Sequence, residues 1–210
     1  LYFFLVNGFM DYEKQGFKNL KRLKPGHICE IYNGKVTSEI NYFNREILLK
    51  ENNDLNEDKV FQILLDSAKK RVRSDVNLGL FMSSGTDSVL TACFLKKIIG
   101  NDFICFTSST GIDDEEYFYA NKICKYLGVE HRKVLFHEDI STNDAPQKLI
   151  DLYTVPNDNL SGLAVANLSE KANQDIKVAF VGTGADEIFA GYNKYKEAFS
   201  KRFFFDNNLL

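Results

Sequence analysis

The sequence predicts an α/β protein: a parallel sheet with helices on both faces, preceded by a short N-terminal segment that carries a β-hairpin. Three observations predict it. Short apolar runs at 76–82, 103–107, 131–136 and 177–181 alternate with longer stretches whose apolar residues recur at helical spacing. That alternation is the pattern of parallel strands joined by crossover helices. The run Val76-Asn77-Leu78-Gly79-Leu80-Phe81-Met82 ends in the small residues Ser83-Ser84-Gly85 and passes at once into a helical pattern. A strand, a tight turn and a helix N-terminus therefore follow in direct succession. Finally, Asn33-Gly34-Lys35 separates the runs 28–32 and 36–40, and Asn-Gly in that position is a strong hairpin signal.

Taken in order, residues 1–45 read as mixed structure, in which 17–23 leads into the turn Lys24-Pro25-Gly26-His27 and then the hairpin. Residues 46–56 are polar and read as a linker. From 57 to 73, Val60, Phe61, Ile63, Leu64, Leu65, Ala68 and Val72 give an amphipathic helix laid on the sheet. The strand at 76–82 follows, then a helix over 86–99 whose Val89, Leu90, Cys93, Phe94 and Leu95 suit burial beside a parallel strand. After the strand at 103–107, Asp113 and Asp114 are placed to open the next helix, where acids complement the dipole. Gly128 stops that helix after Leu127. A strand at 131–136, helices at 145–153 and 160–173, a strand at 177–181, the turn Gly182-Thr183-Gly184 and a helix over 185–199 complete the order. The final stretch 202–210 is very apolar for a terminus and is expected to meet further chain or a partner. The domain organisation expected is 1–50, an N-terminal segment with linker, and 51–210, the sheet domain.

Composition narrows the function. A chain of 210 residues can build one domain with a real core and a small appendage. With 26 basic and 29 acidic residues, a net of -3, there is no basic footprint for nucleic acid and no polybasic patch for a membrane surface. No apolar run reaches spanning length. The opening Leu1-Tyr2-Phe3-Phe4-Leu5-Val6 lacks the basic leader and cleavage site of a signal peptide, and the non-Met start suggests a cropped or processed chain. Cys29, Cys93, Cys105 and Cys124 sit among apolar neighbours without metal-ligand spacing. They are expected to be reduced, buried thiols of a cytoplasmic protein, with no nucleophilic role. His27 and His137 have ordinary structural explanations, and His131 is expected to be structural too.

The chemistry concentrates in two turns. Ser83, Ser84, Gly85, Thr86, Asp87 and Ser88 place hydroxyls, a carboxylate and a flexible backbone at a helix N-terminus. Free N–H groups and the helix dipole favour an anion there, and Asp87 adds a metal ligand. The physical reading is a phosphate cradle with a cation nearby. The same residues also suit an ordinary helix N-cap. No Gly-Lys-Ser/Thr follows, and the glycines of the dinucleotide fingerprint are missing. The second turn, Gly182-Thr183-Gly184-Ala185-Asp186-Glu187-Ile188-Phe189-Ala190-Gly191-Tyr192, again puts acids directly after a strand-ending turn, a placement also common in any acidic first helical turn.

Ser83-Ser84-Gly85-Thr86-Asp87-Ser88 resembles the Ser-Gly-Gly-x-Asp-Ser pyrophosphate loop of the ATP pyrophosphatase superfamily. The segment 182–192 resembles the Gly-Glu-Gly-Ala-Asp-Glu-Leu-Phe-Gly-Gly-Tyr signature of the asparagine synthetase family. The resemblance covers most of the chain from Leu1 to Tyr195 and implies an adenine nucleotide alpha hydrolase-like fold. It implies that residues 83–88 hold pyrophosphate, that Asp87 and Asp186 bind magnesium, and that backbone near Phe81, Ser108, Val181 and Gly182 holds adenine and ribose. Asp87, Asp186 and the residue at position 183 are then the catalytic positions, with ATP and Mg2+ as cofactors. The Leu-x-Pro-Gly-His stretch ending at His27, with its hairpin, is similar to the end of a glutaminase domain, whose N-terminal cysteine nucleophile is not in this chain.

Three residues depart from the family pattern: Ser84 replaces a glycine, Thr183 replaces a glutamate thought to assist amide formation, and Val155 replaces a glutamate before Pro156. A family lysine that stabilises adenylation would lie beyond Leu210. The expected function is an ATP-dependent amide-forming ligase that adenylates a carboxylate before attack by ammonia or an amine. A degenerate nucleotide-binding homologue and a β-lactam-forming or peptide-cyclising synthetase stand as alternatives. The expected partners are ATP, a small carboxylic acid, a glutaminase domain or subunit supplying ammonia, and a second copy in a homodimer.

Overall fold

Asn33 and Gly34 both take left-handed backbone, φ 49° and 72°, and turn the chain tightly enough to pair β1 (His27–Tyr32) with β2 (Lys35–Asn41). That pair of angles is what a two-residue hairpin turn requires. The strands are antiparallel, with Ile28 opposite Ile40, and the register shifts between Glu30 and Ile31. A short helix, α1 (Tyr2–Asn7), precedes them.

The computed structural model describes residues 2–10, 19–43, 56–136, 145–153, 159 and 161–197. The chain divides into two compact units, Leu1–Phe61 with Glu138–Leu163, and Gln62–His137 with Ala164–Leu210. The expected linker core, His137, the Val155-Pro156 pair and the apolar stretch 202–210 lie outside the described residues.

The remaining elements follow the order expected from the sequence: α2 (Glu57–Arg71), β3 (Leu78–Phe81), α3 (Thr86–Ile99), β4 (Phe103–Ser109), α4 (Glu115–Leu127), β5 (Glu130–Leu135), α5 (Ala145–Tyr153), α6 (Ser161–Ala172), β6 (Val178–Phe180) and α7 (Ala185–Phe189). Helix α2 begins with Glu57 and Asp58 and ends with Lys69, Lys70 and Arg71, the charge order that complements a helix dipole. Asp114 caps α4, its carboxylate accepting from the Tyr117 N–H at 3.0 Å. Gly128 ends that helix in left-handed backbone, φ 66°.

Strands β5-β4-β3-β6 form one sheet in that order, every pair parallel. Its two faces build two cores. Leu78, Leu80, Met82, Phe103 and Cys105 meet Ala92 and Leu95 of α3 and Ala120 and Cys124 of α4. On the opposite face, Phe106 and Val134 gather with Leu168 and Ala172 of α6 and Ile176. Helices thus cover both faces, as expected. Gly79 marks how close the second layer comes: a Cβ there would lie 2.3 Å from Ile176 Cδ1 and 3.0 Å from the Ile104 carbonyl.

Three details differ from the sequence reading. The expected helix 185–199 is interrupted: α7 ends at Phe189, Ala190 turns left-handed at φ 56°, and the Gly191 N–H closes on the Asp186 carbonyl at 3.0 Å. Helix resumes at 193–197, and 198–199 lie outside the described residues. On α3 the core stripe settles on Ser88, Ala92, Phe94 and Leu95, leaving Leu90 and Cys93 exposed. Of the four thiols expected to be buried, only Cys105 and Cys124 are; Cys29 is half-buried. Cys105, hydrogen-bonded to Cys124 and sealed from water, has its pKa pushed up and stays a neutral thiol.

Candidate functional site

Strand β3 leads to β4 on one side, while β6 pairs with β3 on the other. The direction of winding reverses between them, and in open parallel sheets ligands bind at the carboxyl ends of strands at such a reversal. An open hollow of about 860 Å³ lies there. The loop after β3 contributes Phe81, Ser83, Gly85, Thr86, Asp87 and Ser88. The loop after β6 contributes Val181, Gly182, Thr183, Gly184 and Asp186, followed by Gly191 and Tyr192. Val165 and Leu168 of α6 close one wall.

The first loop is held from within. The Ser83 and Ser88 hydroxyls are hydrogen-bonded to each other, Ser83 Oγ accepts the Gly85 N–H at 3.2 Å, and Ser88 Oγ donates to the Gly85 carbonyl at 3.3 Å. Gly85 is the N-cap of α3 and no side chain caps that helix. The Ser83 and Ser88 hydroxyls are therefore engaged inside the loop, and the first amides of the helix are left for another acceptor.

The second loop rests directly on the first. A Cβ at Gly182 would lie 3.1 Å from both Asp87 Cβ and the Ser88 amide nitrogen. Only a residue without a side chain lets the two backbones approach this closely. Gly184 takes left-handed backbone at φ 104° to start α7. Gly191 makes room for Asp186: a Cβ there would fall on the Asp186 carboxylate, 2.0 Å from Oδ1. The Tyr192 hydroxyl donates to Glu187 Oε1 at 2.9 Å, and this hydrogen bond is the main reason the Glu187 carboxyl sits below its ordinary pKa.

Asp87 and Asp186 are the only charged side chains lining the hollow among the described residues. Neither carboxylate has a hydrogen-bond or ion-pair partner among those residues. No group of three or more His, Cys, Asp and Glu able to hold a metal occurs among them either. The donor set fits magnesium bound beside phosphates: that ion takes one or two carboxylates and completes its shell with substrate oxygens and water. Without a cation, two carboxylates facing a polyphosphate would repel it.

The fold brings together Phe81, Ser83, Gly85, Thr86, Asp87, Ser88, Val181, Gly182, Thr183 and Asp186. Ser84 is exposed and does not line the hollow, so the side chain at this position stands outside the cradle. Ser108 does not line it either; it lies within β4, one residue before the strand's end. Sequence reasoning missed Val165 and Leu168, whose helix is distant in the chain and whose spacing looks like ordinary core. It also missed the hydrogen bonds around His131: its Nε2 lies 2.9 Å from Thr107 Oγ1, and its ring stacks on Tyr117 with centroids 5.1 Å apart.

A parallel α/β domain whose two strand-end loops meet at a winding reversal is the class of fold that binds its ligand at that reversal. A family model described as asparagine synthase matches residues 59–208, and the chain belongs to that family. The glutamine-hydrolyzing asparagine synthetase of Cricetulus griseus is 32% identical over 145 residues, 65% of this chain and 26% of that protein. The glutamine-hydrolyzing asparagine synthetase 1 of Bacillus subtilis is 28% identical over 145 residues, 68% of this chain and 22% of that protein. The chain thus spans about a quarter of the length of the curated relatives it matches. Among solved structures, a glutamine-dependent NAD+ synthetase from Acinetobacter baumannii superposes with a TM-score of 0.49 and 18% identity, over 76% of this chain and 34% of that one. Among the described residues no helix is long and apolar enough to cross a membrane.

Proposed function

We propose that the hollow binds ATP and that the chain is the nucleotide-binding part of an amide-forming ligase that works through an acyl-adenylate. One observation carries this reading: Gly182 lies on the backbone of Asp87 and Ser88, so the two family turns form one site. The uncapped amides of α3 and the Thr86 hydroxyl receive the β- and γ-phosphates, while the Ser83 and Ser88 hydroxyls hold the loop in shape around them. Phe81, Val181 and Gly182 flank the adenosine. Asp87 and Asp186 would hold magnesium, which when bound supplies charge neutralisation of the phosphates. A substrate carboxylate oxygen attacks the α-phosphorus, the bond to the bridging oxygen breaks, and pyrophosphate leaves with its electron pair into the amides at 86–88. Ammonia or an amine then attacks the acyl carbon, loses a proton, and AMP departs. Residues 51–210 are read as the synthetase domain and 1–50 as the end of a glutaminase domain plus linker, with ammonia delivered by a glutaminase domain or subunit.

Pyrophosphate exchange into ATP by the full chain, with aspartate and a panel of other carboxylic acids, tests the reading. Exchange with one acid is expected; a folded protein that exchanges with none overturns catalysis. Thr183 favours a second reading. It lines the hollow where the resembled family carries a glutamate, and its hydroxyl is no general base at neutral pH. A non-catalytic nucleotide-binding homologue would bind ATP with magnesium in calorimetry and show no exchange.

A further inference from the structure

The carbonyl of Met82 is the last sheet group before the phosphate-facing loop. Its N–H makes the final rung to the Phe106 carbonyl at 2.8 Å, and the chain then leaves the ladder at Ser83. The freed carbonyl does not reach water: Met82 is 3% exposed. It accepts instead from the hydroxyl of Thr107, at 2.7 Å, a polar side chain only 2% exposed. That hydroxyl has one proton and gives it to Met82, so its oxygen receives the second contact as an acceptor. His131 Nε2, at 2.9 Å, is then the donor to that oxygen. Tyr117 stacks on the ring, and Asn121 Oδ1 lies 3.3 Å from Nδ1. Side chains from β4, β5 and α4 thus converge on one carbonyl immediately before Ser83.

We infer that Thr107 and His131 are positioning residues for the 83–88 loop: they set the direction in which the chain leaves β3 and so hold the uncapped amides of α3 toward the hollow. The inference rests on the nucleotide reading of that hollow for its consequence, and on the hydrogen bonds alone for its geometry. A buried carbonyl that loses its donor seeks another, and the loop is the part free to move.

The test compares Thr107→Val, which keeps shape and loses the hydroxyl, with Thr107→Ser, which keeps it, in the full chain. Two quantities are read: amide hydrogen exchange across 82–88 without ligand, and ATP affinity with magnesium. Thr107→Val is expected to speed exchange in 82–88 selectively and to weaken ATP about tenfold. Thr107→Ser is expected to restore both, and His131→Phe to fall between. Unchanged exchange at 82–88 in a folded Thr107→Val chain overturns the inference. So does faster exchange spread evenly over β3, β4 and β5. If Thr107→Val fails to fold, a folded His131→Phe chain with wild-type exchange at 82–88 overturns it instead. Should the wild type bind no ATP while Thr107→Val still loosens 82–88, the positioning role stands and the nucleotide reading fails.

Discussion

Gly182 is the residue on which the site turns. Its Cα sits where any side chain would press on Asp87 and the Ser88 amide at 3.1 Å, tighter than ordinary van der Waals contact. Gly182→Ala should cost about 1–3 kcal/mol by overpacking and, because the strain falls between the two loops, weaken ATP about tenfold. Urea unfolding and calorimetry measure the two effects; wild-type values in both would separate the loops. Asp186 yields a prediction whose sign depends on conditions. On the proposed nucleotide reading, Asp186→Asn should weaken ATP with magnesium present, because a proposed magnesium ligand is lost. Without magnesium it should bind ATP as well as wild type or better, because a carboxylate no longer repels the phosphates. Equal loss in both conditions would show that Asp186 acts through folding alone.

At the scale of elements, α4 shows how one side chain can organise a loop and a helix together. Asp114 accepts from the Tyr117 N–H at 3.0 Å and from the Thr110 N–H at 2.8 Å, so it caps the helix and folds back the end of β4. The Tyr117 amide is the leading cause of its lowered pKa, followed by Thr110. Asp114→Ala should destabilise the chain by about 1 kcal/mol, the ordinary cost of a lost N-cap. The stabilisation from Asp114 is present above the normal carboxylate range and is lost as pH falls through the lowered folded pKa. The variant should therefore match wild type in strong acid and differ from it at neutral pH, as thermal melts over a pH series would show.

For the whole molecule, His131 should contribute to the loss of stability toward acid. Burial holds the folded imidazole below its ordinary pKa, while the unfolded ring titrates near about 6.5. As pH drops past that value the unfolded chain takes a proton before the folded one, so stability falls toward acid and is complete above it. Melting midpoints between pH 7.5 and 5.5 should decline less in His131→Gln than in wild type. A parallel decline in both would assign the effect to other groups.

The sequence by itself determined the order of elements and the two turns that carry chemistry. Strands, helices and caps follow from local rules: an apolar run, an Asn-Gly turn, an Asp before a helix and a Gly after it act within a few residues of themselves. Asp114, Gly128 and the Asn33-Gly34 turn were legible for that reason. The break of the last helix after Phe189 was not, because it depends on Ala190 adopting left-handed backbone and on Gly191 leaving room for Asp186. Only the tertiary structure decided that β6 pairs with β3 rather than with β5, and this pairing is what sets Gly182 against Asp87. It also decided that Thr107 and His131, far from both turns in sequence, reach the carbonyl where the first turn begins. Contacts between residues distant in the chain carry no local signature, since they exist only once the sheet has chosen its strand order.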